Sequence, residues 1–558
     1  MNIPDIVLIV LEIVLSLLLI IPAKLSKKLI STKWRILFTV PAVVCMIIAG
    51  FSGFEKLLLP TYIGAAVTLA GFFIANEKLR ISFSVICAVL CLITLPMCMN
   101  NPAYRARNFT KEFEEIFTVM KKHYVLAEHK GIDWDELYSK YHPMFREADM
   151  EHSLAMNCMA WCRFECEFHD GHVGYSDENL NNEEKYDGIM TEIFDIVGAG
   201  DYGLSLMELS DGRTCAVNVD DTGAVAEAGI HNGTIITLWN GMSIAEAGNT
   251  SPLDGLTTNF ADKDNEAFYL ALRASVNGGD SVTVTYLDDN GVEKTAELPR
   301  LGNGYNRYNT TKETVCRGVE AANFGWTEIN EETVCFRLKA MMFDSETARN
   351  ENYDKMKYEI IDALDKYRSE GKKNLVIDMR NNGGGSGTLV KALGEIFAPK
   401  GTHFYAADGA WDDRTHSYAH DPETGEFIKG EEHYFIGEDR WEGNPIIILV
   451  NSDSASAADH FTMIMSGMEN VTVMGFTEAN GSAQGIGAAA SGKAMLSFSN
   501  CLLLDKDGNV FIDSDTDCES GNDIDIRVPF DEDAVRVLFD EDGDYVMQKA
   551  VEQINHMK

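Results

Sequence analysis

An apolar segment of strand length that stops abruptly in a Ser/Asp/Ala turn is the most constraining feature of this sequence. Residues 446–450 are apolar without polar alternation, which is typical of a strand buried on both faces of a mostly parallel sheet. The alanines around Ser456 favour helix, so this serine is predicted in the first turn of a helix, where unpaired backbone N–H groups stabilise negative charge. Such a position suits a nucleophile, but serine is also a common N-cap residue. The segment therefore predicts a buried strand and leaves two roles open for Ser456.

The first hundred residues contain four apolar runs that each approach the length of a membrane-spanning helix. The runs cover residues 4–23, 36–53, 59–76 and 81–99. Lys and Arg are concentrated after the first run and occur again after the third, and positively charged loops stay in the cytoplasm. We therefore expect a multi-pass cell-membrane protein whose domain from about residue 100 onward is extracytoplasmic, with residues 1–100 as a four-helix transmembrane region.

The charge of the chain excludes some partners. The formal net charge is −39, and residues 101–558 carry 39 Lys/Arg against 82 Asp/Glu. Such an acidic surface repels nucleic acid, so no nucleic-acid partner is expected. The twelve cysteines include no Cys-x-x-Cys pair, and neither a metal nor an organic cofactor is indicated.

Residues 101–185 are predicted to form a small helical module. Apolar residues recur at helical spacing, and a helix at about Met156–Phe168 runs into a turn in which Gly171 and Gly174 flank His172. A histidine in a tight glycine turn at a domain junction is a candidate functional residue, although most such histidines are structural.

Short strands and turns dominate residues 186–305, and the run AVAEAGIHNGTIITLWNG resembles a PDZ domain. The resemblance implies that the loop at its start holds the carboxylate of a peptide tail while the peptide adds as a strand. The substrate-binding residues implied in this way are Gly203, Leu204, Ser205 and Leu206.

Residues 306–558 have the order strand, helix, strand, glycine turn, helix that is typical of a βαβ unit. The glycines at 383–385 could bring backbone N–H groups close to a ligand and form an oxyanion hole. A nucleotide-binding loop is disfavoured because neither G-x-G-x-x-G nor G-K-[ST] occurs there.

The sequence DMRNNGGG at 378–385, SASAAD at 454–459 and VMG at 473–475 resembles the C-terminal processing (tail-specific) serine peptidase family. The order of helical module, PDZ domain and core is also that of the family. The resemblance implies an α/β core with a crotonase-like βαβ spiral and an inserted PDZ domain. It makes Ser456 the nucleophile, with oxyanion donors from the N–H of Ala457 and of Gly383 or Gly384.

The lysine that many members use as base is missing, since Gly481 or Ser482 occupies its place. The branch of the family that resembles the tricorn core uses a histidine from the helical module instead, and this position matches His172. That branch also has a supporting acid near the carboxy end, which points to Glu519. His460 is a rival base, because it lies one helical turn after Ser456.

The sequence thus predicts a membrane-anchored serine endopeptidase that acts on proteins or peptides and recognises C-terminal tails through its PDZ domain. A serine needs a proton acceptor to attack a peptide carbonyl, so the missing lysine leaves an alternative open. In this alternative the protein is a catalytically inactive relative that binds peptides or lipids.

Overall fold

The computed structural model describes residues 107–256, 263–318, 324–342, 349–412, 414, 417–482, 484–513, 515–519 and 521–557. The four apolar runs predicted to span a membrane lie outside these residues. In the described ranges no helix combines the length and hydropathy that a bilayer crossing requires. Thr110–Lys558 form one compact unit.

The amino-terminal part of this unit is helical, as predicted. Asp133 and Ser153 cap the second and third helices by accepting hydrogen bonds from backbone N–H groups of their first turns. Aromatic side chains from all three helices pack in the interior. The helices are α1 (Phe109–His123), α2 (Trp134–Glu151) and α3 (Leu154–Glu165), followed by strand β1 (Gly174–Asp177) and helix α4 (Glu183–Val197).

The middle part consists of short strands and helices around its own core, which includes Leu206, Trp239 and Val284. Strands β2 and β3 form an antiparallel pair, and β4, β5 and β6 form an antiparallel sheet. We call residues 186–305 the PDZ-like module; its identity as a PDZ domain stays a prediction. Its elements are β2 (Ser205–Glu208), β3 (Thr214–Val217), α5 (Gly223–Glu227), β4 (Ile236–Trp239), α6 (Ile244–Asn249), α7 (Lys263–Ala274), β5 (Ser281–Leu287) and β6 (Glu293–Pro299).

The carboxy-terminal part is a mixed α/β core built on a six-stranded sheet. The strand order is β19-β15-β14-β9-β8-β7, and every neighbouring pair is parallel except β7 with β8. The elements that build the sheet are helix α8 (Tyr305–Val315), which leads into it, β7 (Phe324–Glu328), β8 (Thr333–Leu338), α9 (Arg349–Ser369), β9 (Asn374–Asp378), α10 (Gly387–Phe397), β14 (Ile446–Leu449), α11 (Ala457–Met465), β15 (Val471–Gly475) and β19 (Ile526–Arg527).

Strand β14 is buried on both faces, which confirms the prediction for this segment. Ile446 and Ile448 pack in the hydrophobic cluster on one face of the sheet, and Ile447 and Leu449 pack in the cluster on the other. A strand in the middle of a parallel sheet needs apolar side chains in both directions, which explains the unbroken apolar run.

Two further sheets extend the core. Strand β10 pairs with β13 and β18, and β17 pairs with β16 and with β1. The pairing of β1 with β17 joins the helical module to the core. The remaining elements are β10 (Gly401–Gly409), β11 (Trp411–Asp412), β12 (Ser417–Tyr418), β13 (Lys429–Gly437), β16 (Gly485–Ser491), β17 (Ala494–Cys501), β18 (Leu503–Leu504), α12 (Glu532–Val535), a π-helical turn (Arg536–Asp540) and α13 (Tyr545–Ile554).

Candidate active site

Three turns meet at one edge of the central sheet. Strands β9, β14 and β15 are parallel neighbours, so the segments that follow Asp378, Leu449 and Gly475 all leave the sheet at the same edge. These segments carry the glycine turn, Ser456 and Ser482. The carboxyl edge of parallel strands is the usual location of functional sites in α/β proteins.

Ser456 stands directly before helix α11, at the N-cap position, and not within the first turn as predicted. Its side chain makes no capping hydrogen bond. Its backbone has φ 56° and ψ −124°, a strained conformation for a residue other than glycine. Its N–H donates to the carbonyl of Gly481 at 2.7 Å, which holds the strained turn against the segment after β15. The side chain is therefore free of the capping role that the sequence left open.

His172 brings an imidazole to this serine. Its Nε2 lies 2.9 Å from Ser456 Oγ, and the side chain is buried. Asp170 fixes the turn, because its Oδ1 accepts a hydrogen bond from the N–H of His172 at 2.9 Å. Burial lowers the pKa of His172 from its ordinary value, and the nearby Asp170 carboxylate only partly offsets this effect. The ring is therefore neutral at neutral pH and can accept a proton.

The glycine turn packs directly against the nucleophile loop. Gly384 has φ 90°, and a Cβ on this residue would lie 2.6 Å from Ser456 Cβ. Its N–H already donates to Asn382 Oδ1 at 3.0 Å. The N–H groups of Gly383 and Ala457 are not engaged by any residue in the described ranges. Of the two predicted glycine donors, Gly383 is the one whose N–H is available.

Glu519 lies behind His172 and not on its ring. Its Oε1 accepts a hydrogen bond from Ser482 Oγ at 2.7 Å, and a Cβ on Gly171 would overlap this carboxylate oxygen. No hydrogen bond joins it to His172 within the described residues. Burial raises the pKa of Glu519 well above its ordinary value, which favours the protonated, neutral form. Glu519 thus supports the turn that carries His172 through Gly171 and Ser482.

Ser482, one of the two residues predicted to occupy the lysine position, connects several of these groups. It is buried with φ 67°, and its N–H donates to Asp513 Oδ1 at 3.1 Å. Burial also raises the pKa of Asp513. This role of Ser482 and Asp513 has no local signal in the sequence, because their contacts join segments that are distant in the chain. Asn382 had a local signal, since an Asn two residues before a glycine commonly holds a turn.

His460, the rival base, faces another part of the core. Its Nε2 is 3.0 Å from the carbonyl oxygen of Tyr405, and its ring lies between the rings of Tyr405 and Phe511. Burial lowers the pKa of His460 to about 4. His172, and not His460, lies within hydrogen-bond distance of Ser456 Oγ. The geometry therefore favours His172 as the partner of Ser456.

The predicted carboxylate-binding loop of the PDZ-like module is covered. Leu204, Ser205 and Leu206 are buried, and the N–H of Gly203 donates to Asp201 Oδ1 at 2.9 Å. Thr311 on α8 donates from its hydroxyl to Ser205 Oγ at 2.9 Å. These residues are therefore buried and hydrogen-bonded within the protein in this conformation. The described part of the chain also contains no group of His, Cys, Asp and Glu side chains arranged to hold a metal ion.

Comparison with known proteins gives two family matches. Residues 337–515 match the model of peptidase family S41, and residues 105–155 match that of the tricorn protease C1 domain. No curated protein matches the chain.

Several solved structures are similar at low identity. Mature CPAF has 12% identity and a TM-score of 0.49, with 81% of this chain and 98% of that chain covered. A protein from Parabacteroides merdae ATCC 43184, named a putative peptidase, has 15% identity and a TM-score of 0.41, with 80% of this chain and 96% of that chain covered. The photosystem II D1 C-terminal processing protease has 14% identity and a TM-score of 0.32, with 77% and 97% covered.

The first family match spans the glycine turn and Ser456, and the second lies in the helical module. Both agree with the predicted resemblance to tail-specific peptidases and to tricorn. The prediction that the chain is a serine peptidase is therefore confirmed by the match of residues 337–515 to peptidase family S41.

Proposed function

We propose that the protein is an endopeptidase in which Ser456 is the nucleophile and His172 the general base. The observation that carries this proposal is the distance of 2.9 Å between Ser456 Oγ and His172 Nε2. A serine hydroxyl needs such a partner to become nucleophilic, and a neutral imidazole supplies it without a lysine.

In this mechanism Ser456 Oγ bonds to the carbonyl carbon of the scissile peptide while its proton moves to His172 Nε2. The electron pair displaced from the C=O bond resides on the carbonyl oxygen, where the N–H groups of Gly383 and Ala457 stabilise it. The C–N bond then breaks, and His172 returns the proton to the leaving nitrogen. A water molecule deprotonated by His172 finally releases the acyl group from Ser456.

In this proposal the residues around His172 act by holding its ring in position. Glu519 and Ser482 pack against Gly171 and fix the turn of His172, and Asp170 holds the same turn from its other side. Because burial raises the pKa of Glu519 and so favours its neutral form, we assign it a positioning role and not that of an ionised triad carboxylate.

A fluorophosphonate probe tests the nucleophile on the full-length protein purified in detergent. We expect the wild type to be labelled and Ser456→Ala to be unlabelled. Ser466→Ala is the matched control, because Ser466 is the C-cap residue of the same helix and should keep its labelling. Cleavage of a denatured protein, followed by mass spectrometry, identifies the peptidase reaction. Absence of labelling in the folded wild type would support the inactive, ligand-binding alternative instead.

The proposal includes attachment to the cell membrane through residues 1–100, with the peptidase on the extracytoplasmic side. It is supported by the four apolar runs and by the Lys/Arg distribution between them. A membrane-impermeant maleimide applied to intact cells should modify the exposed thiol of Cys501, and Cys501→Ser should reduce the modification. Modification only after lysis would contradict this orientation.

The most detailed part of the proposal is that Gly203–Leu206 recognise the C-terminal tails of peptides. The sequence pattern supports it, whereas in this conformation Leu204–Leu206 are buried and Ser205 is hydrogen-bonded to Thr311 on α8. A peptide with a free C-terminus should compete with a substrate, and its C-terminally amidated form should not. Equal competition by both forms would remove this loop from the proposal.

A further inference from the structure

A cavity of about 180 Å³ lies where the helical module, the PDZ-like module and the peptidase core meet. The PDZ-like module contributes Met190, Ile193 and Phe194 on helix α4 together with Leu253 and Leu256, and the helical module contributes Cys162 on α3. Tyrosines from α7 and α8 complete the apolar wall. The lining is thus predominantly apolar and aromatic, as in cavities that bind an apolar group.

The cavity borders the loop that carries the nucleophile. Ser452, Asp453 and Asn480 form part of its wall. The N–H of Asn480 donates to Ser454 O at 2.6 Å, and the next residue, Gly481, accepts from the N–H of Ser456. Asp453 is three residues from Ser456, so their Cα atoms are at most about 11 Å apart. An extended peptide advances about 3.3–3.6 Å per residue, which places the cavity within about three residues of a bond held at Ser456.

Two pairs of polar groups in the wall are already matched with each other. Lys312 Nζ lies 3.1 Å from Asp453 Oδ1, and Tyr269 OH lies 3.0 Å from Ser452 Oγ. A charged occupant would have to compete with the Lys312–Asp453 pair and lose its own hydration. The occupant is therefore expected to be uncharged. A cavity of about 150 Å³ lined by aliphatic and aromatic side chains is enough to hold a benzene ring, so this one fits a single side chain.

We propose that this cavity is a specificity pocket that receives one aromatic or bulky aliphatic side chain of the substrate, within about three residues of the scissile bond. The inference rests on the proposed peptidase function of Ser456. It extends that function by naming the substrate class as peptides with Phe, Tyr, Leu or Met at one fixed position near the cleavage site.

The test compares two tryptophan substitutions on helix α4 in the full-length protein. Met190→Trp places a large ring at the cavity wall, whereas Ile196→Trp adds the same ring at a position that is 46% exposed and outside the cavity. Each variant is incubated with a peptide library made by digesting a proteome, and the cleavage sites are identified by mass spectrometry. The rate of fluorophosphonate labelling is measured in parallel.

We expect the wild type and Ile196→Trp to cleave with an enrichment of aromatic or bulky aliphatic residues at one position. In Met190→Trp this enrichment should fall roughly tenfold or more, as is usual when the volume of a side-chain pocket changes. Met190→Gln, which adds no bulk, is the second variant in case the tryptophan prevents folding. It should weaken the preference by making the wall polar.

The two hypotheses fail in different ways. Absence of Ser456-dependent labelling and cleavage would overturn the proposed function itself. Cleavage without enrichment at any position within three residues would overturn the pocket alone. The same conclusion would follow if Met190→Trp kept the wild-type pattern with a raised Tm, because the cavity would then be a packing defect that the ring fills.

Discussion

His172 Nε2 lies 2.9 Å from Ser456 Oγ although 284 residues separate the two positions. The pairing of β1 with β17 explains this proximity, since β1 begins two residues after His172 and β17 belongs to the core. Glu519 and Ser482 then fix the same turn from the core side. The proposed base, His172, thus comes from the helical module and its turn is held by the core, so the proposed catalysis depends on the association of these two parts.

Replacement of the two candidate bases should separate a catalytic role from a structural one. His172→Ala should reduce the rate of fluorophosphonate labelling by roughly 10²–10⁴-fold, the usual contribution of a general base. The His460→Ala variant should be labelled at a rate close to that of the wild type at temperatures below the Tm of the variant. It should cost about 1–3 kcal/mol of stability, because the carbonyl of Tyr405 loses its partner.

Circular dichroism provides the control for this comparison, since both variants must be folded at the temperature of labelling. If folded His460→Ala lost its labelling while His172→Ala was still labelled, His460 would be the general base and His172 the structural residue.

The acidic limb of the pH profile should lie below pH 6.5. His172 must be neutral to accept a proton, and burial lowers its pKa from 6.5 because the charged ring is poorly solvated. Activity is therefore present above the lowered pKa and lost as the pH falls through it. Asp170→Asn removes a carboxylate that favours the charged ring while keeping an acceptor for the N–H of His172, so its midpoint should be lower still. Labelling rates between pH 4.5 and 8 measure both midpoints, and a wild-type midpoint above 6.5 would contradict the assignment.

The sequence was informative where local pattern and geometry coincide. Strand β14 and the turn at Ser456 follow from an unbroken apolar run that ends in small polar residues. The role of Glu519 could not be derived in this way, because its contact with Ser482 and Gly171 depends on how three distant segments fold together. The orientation of His460 was equally undetermined, since one helical turn of separation permits a side chain to face either way. The β1–β17 pairing was not predicted, because pairing between distant strands has no local signal.

An alanine at Gly384 should inactivate the site by steric intrusion. Its Cβ would lie 2.6 Å from Ser456 Cβ and 2.8 Å from the N–H nitrogen of Ala457. A displacement of the nucleophile by about 1 Å is enough to reduce the rate about 10²-fold, and we expect at least this loss of labelling. Gly371→Ala is the matched control: its φ of 91° imposes the same backbone strain, but no atom lies within 4 Å of the added Cβ. Equal losses in both variants would assign the effect to backbone strain and not to contact with Ser456.

Substitution of Glu519 should reveal whether its carboxyl acts as a neutral or an ionised group. Burial raises its pKa well above the ordinary value, and its Oε1 accepts from Ser482. Glu519→Gln keeps both shape and acceptor, so it should be labelled within about tenfold of the wild-type rate. Glu519→Ala should be slower, because the contacts with Gly171 and Ser482 that hold the His172 turn are lost.

The stability of Glu519→Gln should also depend on pH in a defined direction. In the wild type the native state keeps this proton, whereas the unfolded state releases it above a pKa of about 4.3. The native state therefore binds more protons, and its contribution to the free energy of unfolding falls as the pH rises from about 4.3 towards the folded pKa. Glutamine does not titrate and makes no pH-dependent contribution to the free energy of unfolding. The variant should therefore gain stability relative to the wild type by up to about 1.4 kcal/mol per pH unit in this range. Chemical denaturation at several values between pH 4.5 and 8 measures this difference. A constant or decreasing difference, together with labelling as slow as that of Glu519→Ala, would mean that Glu519 is ionised and orients His172 through its charge.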